Sequence, residues 1–389
     1  MRALLEKGGM HRAELARHLQ TSRATITNTV TSLLEQGMVE PAGTDGTLEL
    51  SEGKAPLKEK LVLARRAGII GAVIHQDDST IVGIGELDGR VIATRYMECS
   101  PDSRGRERVD TAVVALHELL DELPAPPPRL HGLHVAPNTL MNRHTGEVLG
   151  GGASSKWHGV NLRREYEEAL GTAVVLENIA RHSAYAQYRA LTGPAPRNVL
   201  HVSLSFGIAL GQVLDGRIIS GAHGGAGELG HVSIDGNGPI CPCSNRGCLV
   251  RYASAEEILG ECRIVTGTDL TLDEAIDLAL GGDDRVVSIF SRAGAAVGMA
   301  LNAACNLLDP DLILIGGRLA RAGDIIIDPL RDALFRSALP LFGHGLRIEQ
   351  AAQLTDQDLV GASLRAMRLD LDLAAAVLAA HEPAAVTVA

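Results

Sequence analysis

Between His231 and Cys248 the chain gathers one imidazole and three thiols within 18 residues, in the order His231, Cys241, Cys243, Cys248. Whatever fold it adopts must bring these side chains to one place. Four soft-to-borderline donors with C-x-C and then x4-C spacing close a tetrahedron around one ion, and Cys3His is a usual donor set for structural zinc. With all four positions filled by protein, no coordination site is left for water or substrate, so the expected role is a brace and not a reagent. The alternative is three reduced cysteines beside an unrelated histidine. Against it, half of the chain's six cysteines fall within eight residues.

At 389 residues there is room for two or three domains with sizeable cores. The formal net charge is −11, yet residues 1–60 carry eight Lys and Arg against eight Asp and Glu. The acidic excess therefore belongs to the larger C-terminal part, and an anionic partner is tolerated best at the N-terminus. No run of about 18 apolar residues and no charged-then-apolar leader is found. No membrane partner is expected, and a cytoplasmic location is. Cys99, Cys262 and Cys305 lie scattered in apolar surroundings, as buried free thiols of a reducing compartment do.

Residues 1–60 read as a small helical unit. Residues 2–7 form a short first helix, whose shortness leads us to expect a start upstream of Met1; residues 11–19 form a second, with Leu15, Ala16 and Leu19 on one face. Ser22 is the N-cap of a third that runs to about Gln36, burying Ile26, Val30 and Leu33, and Gly37 stops it. This is helix-turn-helix spacing. The other face of the third helix offers Arg23, Thr25, Thr27 and Asn28 to phosphates or base edges in a major groove. Strands near Val39, at 47–50 and at 58–64 suggest a β wing whose tip, 53–56, holds Lys54. The alternative is a helical hairpin that packs on the larger domain without touching DNA.

From Ala67 the pattern turns α/β. Residues 69–74, 80–86 and 91–99 alternate as a three-stranded meander with a Leu87-Asp88-Gly89-Arg90 turn, followed by a helix at 109–123 and a strand at 130–135. Helices at 162–170 and 180–191 flank a strand at 173–176. A second meander, 198–204, 208–214 and 217–219, repeats the turn as Leu214-Asp215-Gly216-Arg217, which points to a duplicated architecture. Helices at 255–266, 272–280 and 286–308 and a strand at 312–315 follow, and a helix at 356–368 is expected to return to the first lobe. The Ala- and Gly-rich run 293–304 permits close helix packing and can serve an intersubunit face.

The run Gly221-Ala222-His223-Gly224-Gly225-Ala226-Gly227-Glu228-Leu229-Gly230-His231, then nine residues, then C-x-C-x4-C, closely resembles the zinc signature of the ROK family of repressors, open reading frames and sugar kinases. The resemblance implies a two-lobed α/β fold of the actin and hexokinase type, with a sugar site beside the metal, preceded here by a small winged helix-turn-helix domain. Expected boundaries are 1–62 for that domain and 67–381 for the ROK domain, with a tail at 382–389. Lobe 1 takes about 67–180 plus the helix at 356–380, and lobe 2 about 181–355.

The resemblance also assigns positions. The family's first phosphate turn is Asp-x-Gly-Gly-Thr; here Ile74, Gln76, Asp77 and Asp78 fall there, and two carboxylates repel a polyphosphate. The second loop reads Ser205-Phe206-Gly207-Ile208-Ala209-Leu210-Gly211, with bulk where backbone access is needed. Gly316-Gly317 matches the nucleotide motif or is simply a tight turn. Glu177-Asn178-Ile179-Ala180 resembles Glu-Asn-Asp-Ala, whose aspartate is the base in the kinases; Ile179 cannot accept a proton, so no kinase activity is expected. Surviving ligand-binding positions are Asn178, Glu228 and His231, whereas Ile179, Val250 and Ala153 have replaced polar groups, and Asn138 stands where a Pro-Gly turn shapes the pocket. Glu228 either binds ligand or caps loop N–H groups, and Trp157 either stacks on a ligand or anchors a loop. The reading is a repressor with a palindromic operator, a homodimer or tetramer, and a sugar or derivative as possible effector; the alternative is a sugar kinase with an altered site.

Overall fold

The computed structural model describes residues 1–42, 60–64, 67–100, 102–125, 127–149, 155–337, 339 and 345–370. The expected strand at 47–50, Lys54 and its turn, Ala153 and the tail from 382 lie outside the described residues.

At the N-terminus, α1 (Arg2–Lys7), α2 (Arg12–His18) and α3 (Arg23–Glu35) surround Leu4, Leu15, Ala16, Ile26 and Val30, all buried. Ser22 caps α3 by accepting the Thr25 N–H at 3.0 Å, as its sequence position predicts. The turn between α2 and α3 places Gln20 at φ +49°, a left-handed conformation that favours glycine and that this chain adopts with a glutamine. Strands β1 (Met10–His11), β2 (Val39–Pro41) and β3 (Lys60–Leu63) make one antiparallel sheet in the order β1-β3-β2.

Two five-stranded sheets form the rest. In the first, β4 (Ile69–His75), β5 (Ser79–Glu86) and β6 (Val91–Glu98) are the antiparallel meander, and β7 (Leu130–Pro137) and β8 (Val174–Leu176) extend it in parallel, in the order β6-β5-β4-β7-β8. Helix α4 (Gly105–Asp121) and α5 (Leu162–Leu170) cover one face, with Leu116, Leu133, Val135 and Tyr166 in the core between. Helix α6 (Ile179–Ala190) leads to the second sheet, where β9 (Asn198–Leu204), β10 (Ile208–Leu214), β11 (Arg217–Ile218), β12 (Leu312–Gly316) and β13 (Arg347–Gln350) stand in the order β11-β10-β9-β12-β13. Both sheets therefore have the strand order 3-2-1-4-5, a meander plus two parallel strands, so the internal echo in the sequence is a duplication of topology. This is the two-lobed α/β architecture that the resemblance implies.

The second sheet is covered by α7 (Val250–Ala253), α8 (Ala255–Thr266), α9 (Leu272–Leu280), α10 (Asp284–Leu308) and α11 (Asp324–Ser337), around one large apolar cluster. By length and composition α10 is apolar enough to cross a membrane, but half of its apolar window is buried in the protein. A Cβ on Gly294 or Gly298 would stand 2.2 Å from the Ile326 or Leu330 carbonyl of α11. At these two positions the small residues permit the close helix packing that the run leads one to expect, here within the chain.

Helix α12 (Asp356–Asp370) does return to the first sheet. Val360, Leu364 and Met367 join Ile70, Ile74 and Ile81, while Ala362 and Ala366 meet Ala184 and Tyr185 of α6. Two glycines of β5 make the seat: a Cβ on Gly83 would lie 2.5 Å from Val360 Cγ1, and one on Gly85 2.3 Å from Leu364 Cδ1. The same cluster takes in Leu5 and Met38 from the N-terminal unit, and Met1, Leu33 and Leu63 pack against both this cluster and that unit's own core. The N-terminal helical unit is thus docked on the first lobe through continuous apolar contact.

Candidate metal centre and ligand cleft

The four predicted metal ligands converge. His231 sits at the end of a 3₁₀ turn (Leu229–His231), and one of its ring nitrogens and the Sγ atoms of Cys241, Cys243 and Cys248 all lie within 4.8 Å of one another. Cys241 Sγ is 3.7 Å from His231 Nδ1, and Cys243 Sγ is 3.6 Å from Cys248 Sγ. These two separations match the edge of a donor tetrahedron with zinc bond lengths, roughly 3.5–3.8 Å. They are also far too long for disulfides, and all six cysteines are free.

Local sequence makes the knuckle. Ser244 at φ +72° and Gly247 at φ +63° turn the chain twice, and the Cys241 N–H donates to the Asn245 carbonyl at 2.7 Å. Only glycine fits at 247, where a Cβ would stand 1.7 Å from the Asp235 carbonyl oxygen. Cys241 and Cys248 are buried; His231 and Cys243 are exposed. Burial and the neighbouring thiols push the Cys248 thiol up to about 12, while the Asn245 backbone N–H holds Cys243 below the usual thiol range. Without a cation to replace its proton Cys248 stays a thiol, so the donor set suits a divalent ion that supplies that charge.

The glycine-rich run before the knuckle lies against β10. A Cβ on Gly227 would be 1.8 Å from the Leu210 carbonyl, and one on Gly230 2.5 Å from that of Ile208. From the other side it is held by Arg181, which is 1% exposed. Its guanidinium donates to Glu177 Oε1 at 2.6 Å and to the carbonyls of Gly224 and Ala226. Glu177 also accepts from Ser220 Oγ and from the Asn178 N–H. Breaking a buried pair leaves one charge uncompensated, at a cost of about 3–5 kcal/mol. Arg181→Ala, which also orphans two carbonyls, should lower urea stability by that amount; a loss below about 1 kcal/mol would contradict the network.

Of the expected ligand contacts, Asn178 is 8% exposed and engaged at both ends: its Nδ2 donates to the Thr139 carbonyl at 2.9 Å and its Oδ1 caps α6 by accepting from the Ala180 N–H at 2.8 Å. Glu228 lies 4.0 Å from the Arg181 guanidinium with 30% of its side chain exposed. Burial raises its carboxyl, and Arg181 and His231 pull it back. Ile179, at the base position, packs against the cluster shared by the first sheet and α12. Val250 opens α7, and His223 is exposed in its loop.

The phosphate-turn position is locked by other groups. Buried Arg108 donates to the carbonyls of Gln76 and Asp77, both at 2.6 Å, so this turn shows a cation its carbonyl oxygens and shows solvent the side chains of Asp77 and Asp78. Asn138 donates to Asp77 Oδ1 at 2.6 Å. His75 bridges Thr80 and Tyr166, and Trp157 stands edge-on to it at 4.9 Å, which settles Trp157 as a buried anchor. Gly316 and Gly317 have packing reasons of their own: added Cβ atoms would meet His201 Nε2 at 2.4 Å and the Leu204 carbonyl at 2.3 Å. Arg108 and Arg181 were missed in the sequence, where arginines count as surface. The Glu177–Arg181 spacing of four on a helix start was the available signal.

On α3, Arg23, Thr25 and Asn28 are exposed, whereas Thr27 is half-buried with its hydroxyl on the Arg23 carbonyl at 2.8 Å.

Residues 78–368 match the ROK family. The chain belongs to the ROK family. It is 24% identical to the xylose repressor of Bacillus spizizenii over 90% of this chain and 88% of that one. A crystal structure of a ROK family transcriptional regulator, a homolog of the E. coli MLC protein, superposes with a TM-score of 0.77 at 23% identity, covering 97% of both chains. The ROK hexokinase of Thermus thermophilus superposes with a TM-score of 0.65 at 23% identity, over all of its own length but 78% of this chain. The ROK body is therefore common to regulators and kinases, and the regulator-type structure also accounts for the part the kinase leaves over.

Proposed function

We propose that this ROK protein is a DNA-binding transcriptional repressor of sugar-related genes and has no kinase activity. The observation that carries the reading is a unit of three short helices and a small sheet built onto a ROK body in which Ile179 stands at the base position. On this reading residues 1–62 are the winged DNA-binding domain, with Arg23, Thr25, Thr27, Asn28 and Lys54 toward DNA, and 67–381 the effector and oligomerisation domain. Homodimerisation sets two α3 helices about 34 Å apart on a palindromic operator in the cytoplasm. His231, Cys241, Cys243 and Cys248 hold a structural zinc ion that fixes the Glu228–His231 turn against β10. An effector with hydroxyl groups is met by Glu228, and by Asn178 once its amide is released from Thr139, and the change is passed on as a hinge motion of the lobes.

Selection of genomic fragments by the purified zinc-loaded protein at near-physiological salt should enrich one palindrome, lost on Arg23→Ala with Asn28→Ala. Absence of enrichment would overturn the reading. The alternative, a sugar kinase, rests on the relatedness to kinases; a coupled ADP-release assay over a hexose panel is expected to stay at background, and clear turnover would establish it.

A further inference from the structure

Helix α3 carries no charged residue between Arg23 and Glu35, and five of its thirteen residues are Thr or Asn at positions 25, 27, 28, 29 and 31. With Ile26 and Val30 buried at 5% and 4% exposure, the helical repeat puts Ala24, Asn28 and Thr31 in one stripe directly opposite, with Thr25 beside it; all four are exposed. The threonine hydroxyls on this surface are already engaged. Thr31 Oγ1 donates to the Thr27 carbonyl at 2.9 Å, and Thr25 Oγ1 lies 2.8 Å from Ser22 Oγ. A threonine Cβ bears one hydroxyl and one methyl, so once the hydroxyl is turned onto its own helix the group left to meet a partner is the methyl.

We infer that this surface reads thymine methyl groups: Ala24, Thr25 and Thr31 pack on the C5-methyls of thymines around one adenine held through N6 and N7 by the Asn28 amide. The inference rests on the DNA-binding reading above and names its sequence class. In the major groove thymine is the base that offers a methyl, an asparagine amide pairs bidentately with adenine, and guanine is read chiefly by arginine or lysine, which this stripe lacks. The half-site is therefore built on A·T pairs under α3, and any guanine contact falls at its edge, under Arg23.

The test replaces thymines of the selected operator one at a time with deoxyuridine, which deletes the methyl and leaves the pairing intact. Binding is read by fluorescence anisotropy at fixed salt. At two or three positions per half-site affinity should fall about three- to fivefold, the share of one buried methyl. Thr31→Ser, which keeps the hydroxyl and removes the methyl, should bind the thymine operator as weakly as the wild type binds the matching uridine operator, with no further loss on uridine. Thr31→Val should retain wild-type affinity. Uridine tolerated at every position, or Thr31→Val weakened as much as Thr31→Ser, overturns the inference while the repressor reading stands. If no fragment is selected at all, both fall.

Discussion

Cys248→Ala should abolish stoichiometric zinc and unfold the segment from Glu228 to Ala253. Cys248 is fully buried, and its β-bridge with Ser233 and the Leu249 N–H bond to the Val232 carbonyl close the segment on itself around that buried thiol. Structural zinc contributes about 10–16 kcal/mol in small peptides that have no other core. Here the second lobe has a large core of its own, so the loss should appear as a lower first thermal transition and rapid proteolysis near the knuckle, with the first lobe still folded. Metal analysis of the wild-type protein should return one zinc per chain. A metal-free wild-type protein with the same melting curve would remove zinc from the structure.

Acid should begin to unfold the protein above the pH at which ordinary carboxylates protonate. Burial drives the histidines at 75, 134 and 182 down to about 3 and His201 down to about 4; Arg108 lowers His75 further, and Arg143 lowers His134. Below the ordinary histidine value near 6.5, the unfolded chain takes up protons that the folded chain refuses. Folding stability therefore falls as pH drops from 6.5 toward 3, by about 1.4 kcal/mol per pH unit for each such histidine and about 5.5 for all four. A typical margin of about 5–15 kcal/mol is then spent within roughly one to three pH units. Circular dichroism from pH 7 to 3 should show cooperative unfolding between about pH 5.5 and 3.5. Protons would also displace a metal ion held by His231 and the thiolates, so the same titration is run with His134→Leu and His182→Phe together, which should shift the midpoint downward. An unchanged midpoint would assign acid lability to zinc release alone.

Much of the fold was legible because its signals are local. The two Asp-Gly turns punctuate both meanders, and β9, β10, α5, α8 and α9 begin and end where the apolar period does. Where the period fails, the reading failed. Helix α4 starts at Gly105, four residues before its apolar stripe, because its first turn is polar and sends Arg108 inward. Helix α11 went unread: Pro329 stands inside it and looks like a breaker, yet Ile326, Ile327, Leu330 and Leu334 bury against α10. Strand β13 is a four-residue edge strand with Ile348 as its single buried residue. The convergence of His231, Cys241, Cys243 and Cys248 was legible for the same reason as the turns, these residues being close in sequence. The state of Asn178 was not, since Thr139 is distant in sequence and reaches it through β7 and β8.

The apolar underside of the N-terminal unit bears on how such a protein acquires new targets. Leu5 and Met38 are buried in the first lobe's own cluster, and Met1, Leu33 and Leu63 belong to both sides of the junction. A reading head joined by a bare linker can be exchanged for another by recombination. This one cannot be lifted off without opening a hole beneath β4 and α12, and an incoming head would have to bring the same greasy footprint. On the proposed DNA-binding reading, diversification would proceed by point substitution on the outward stripe of α3 while the footprint on the opposite side stays fixed.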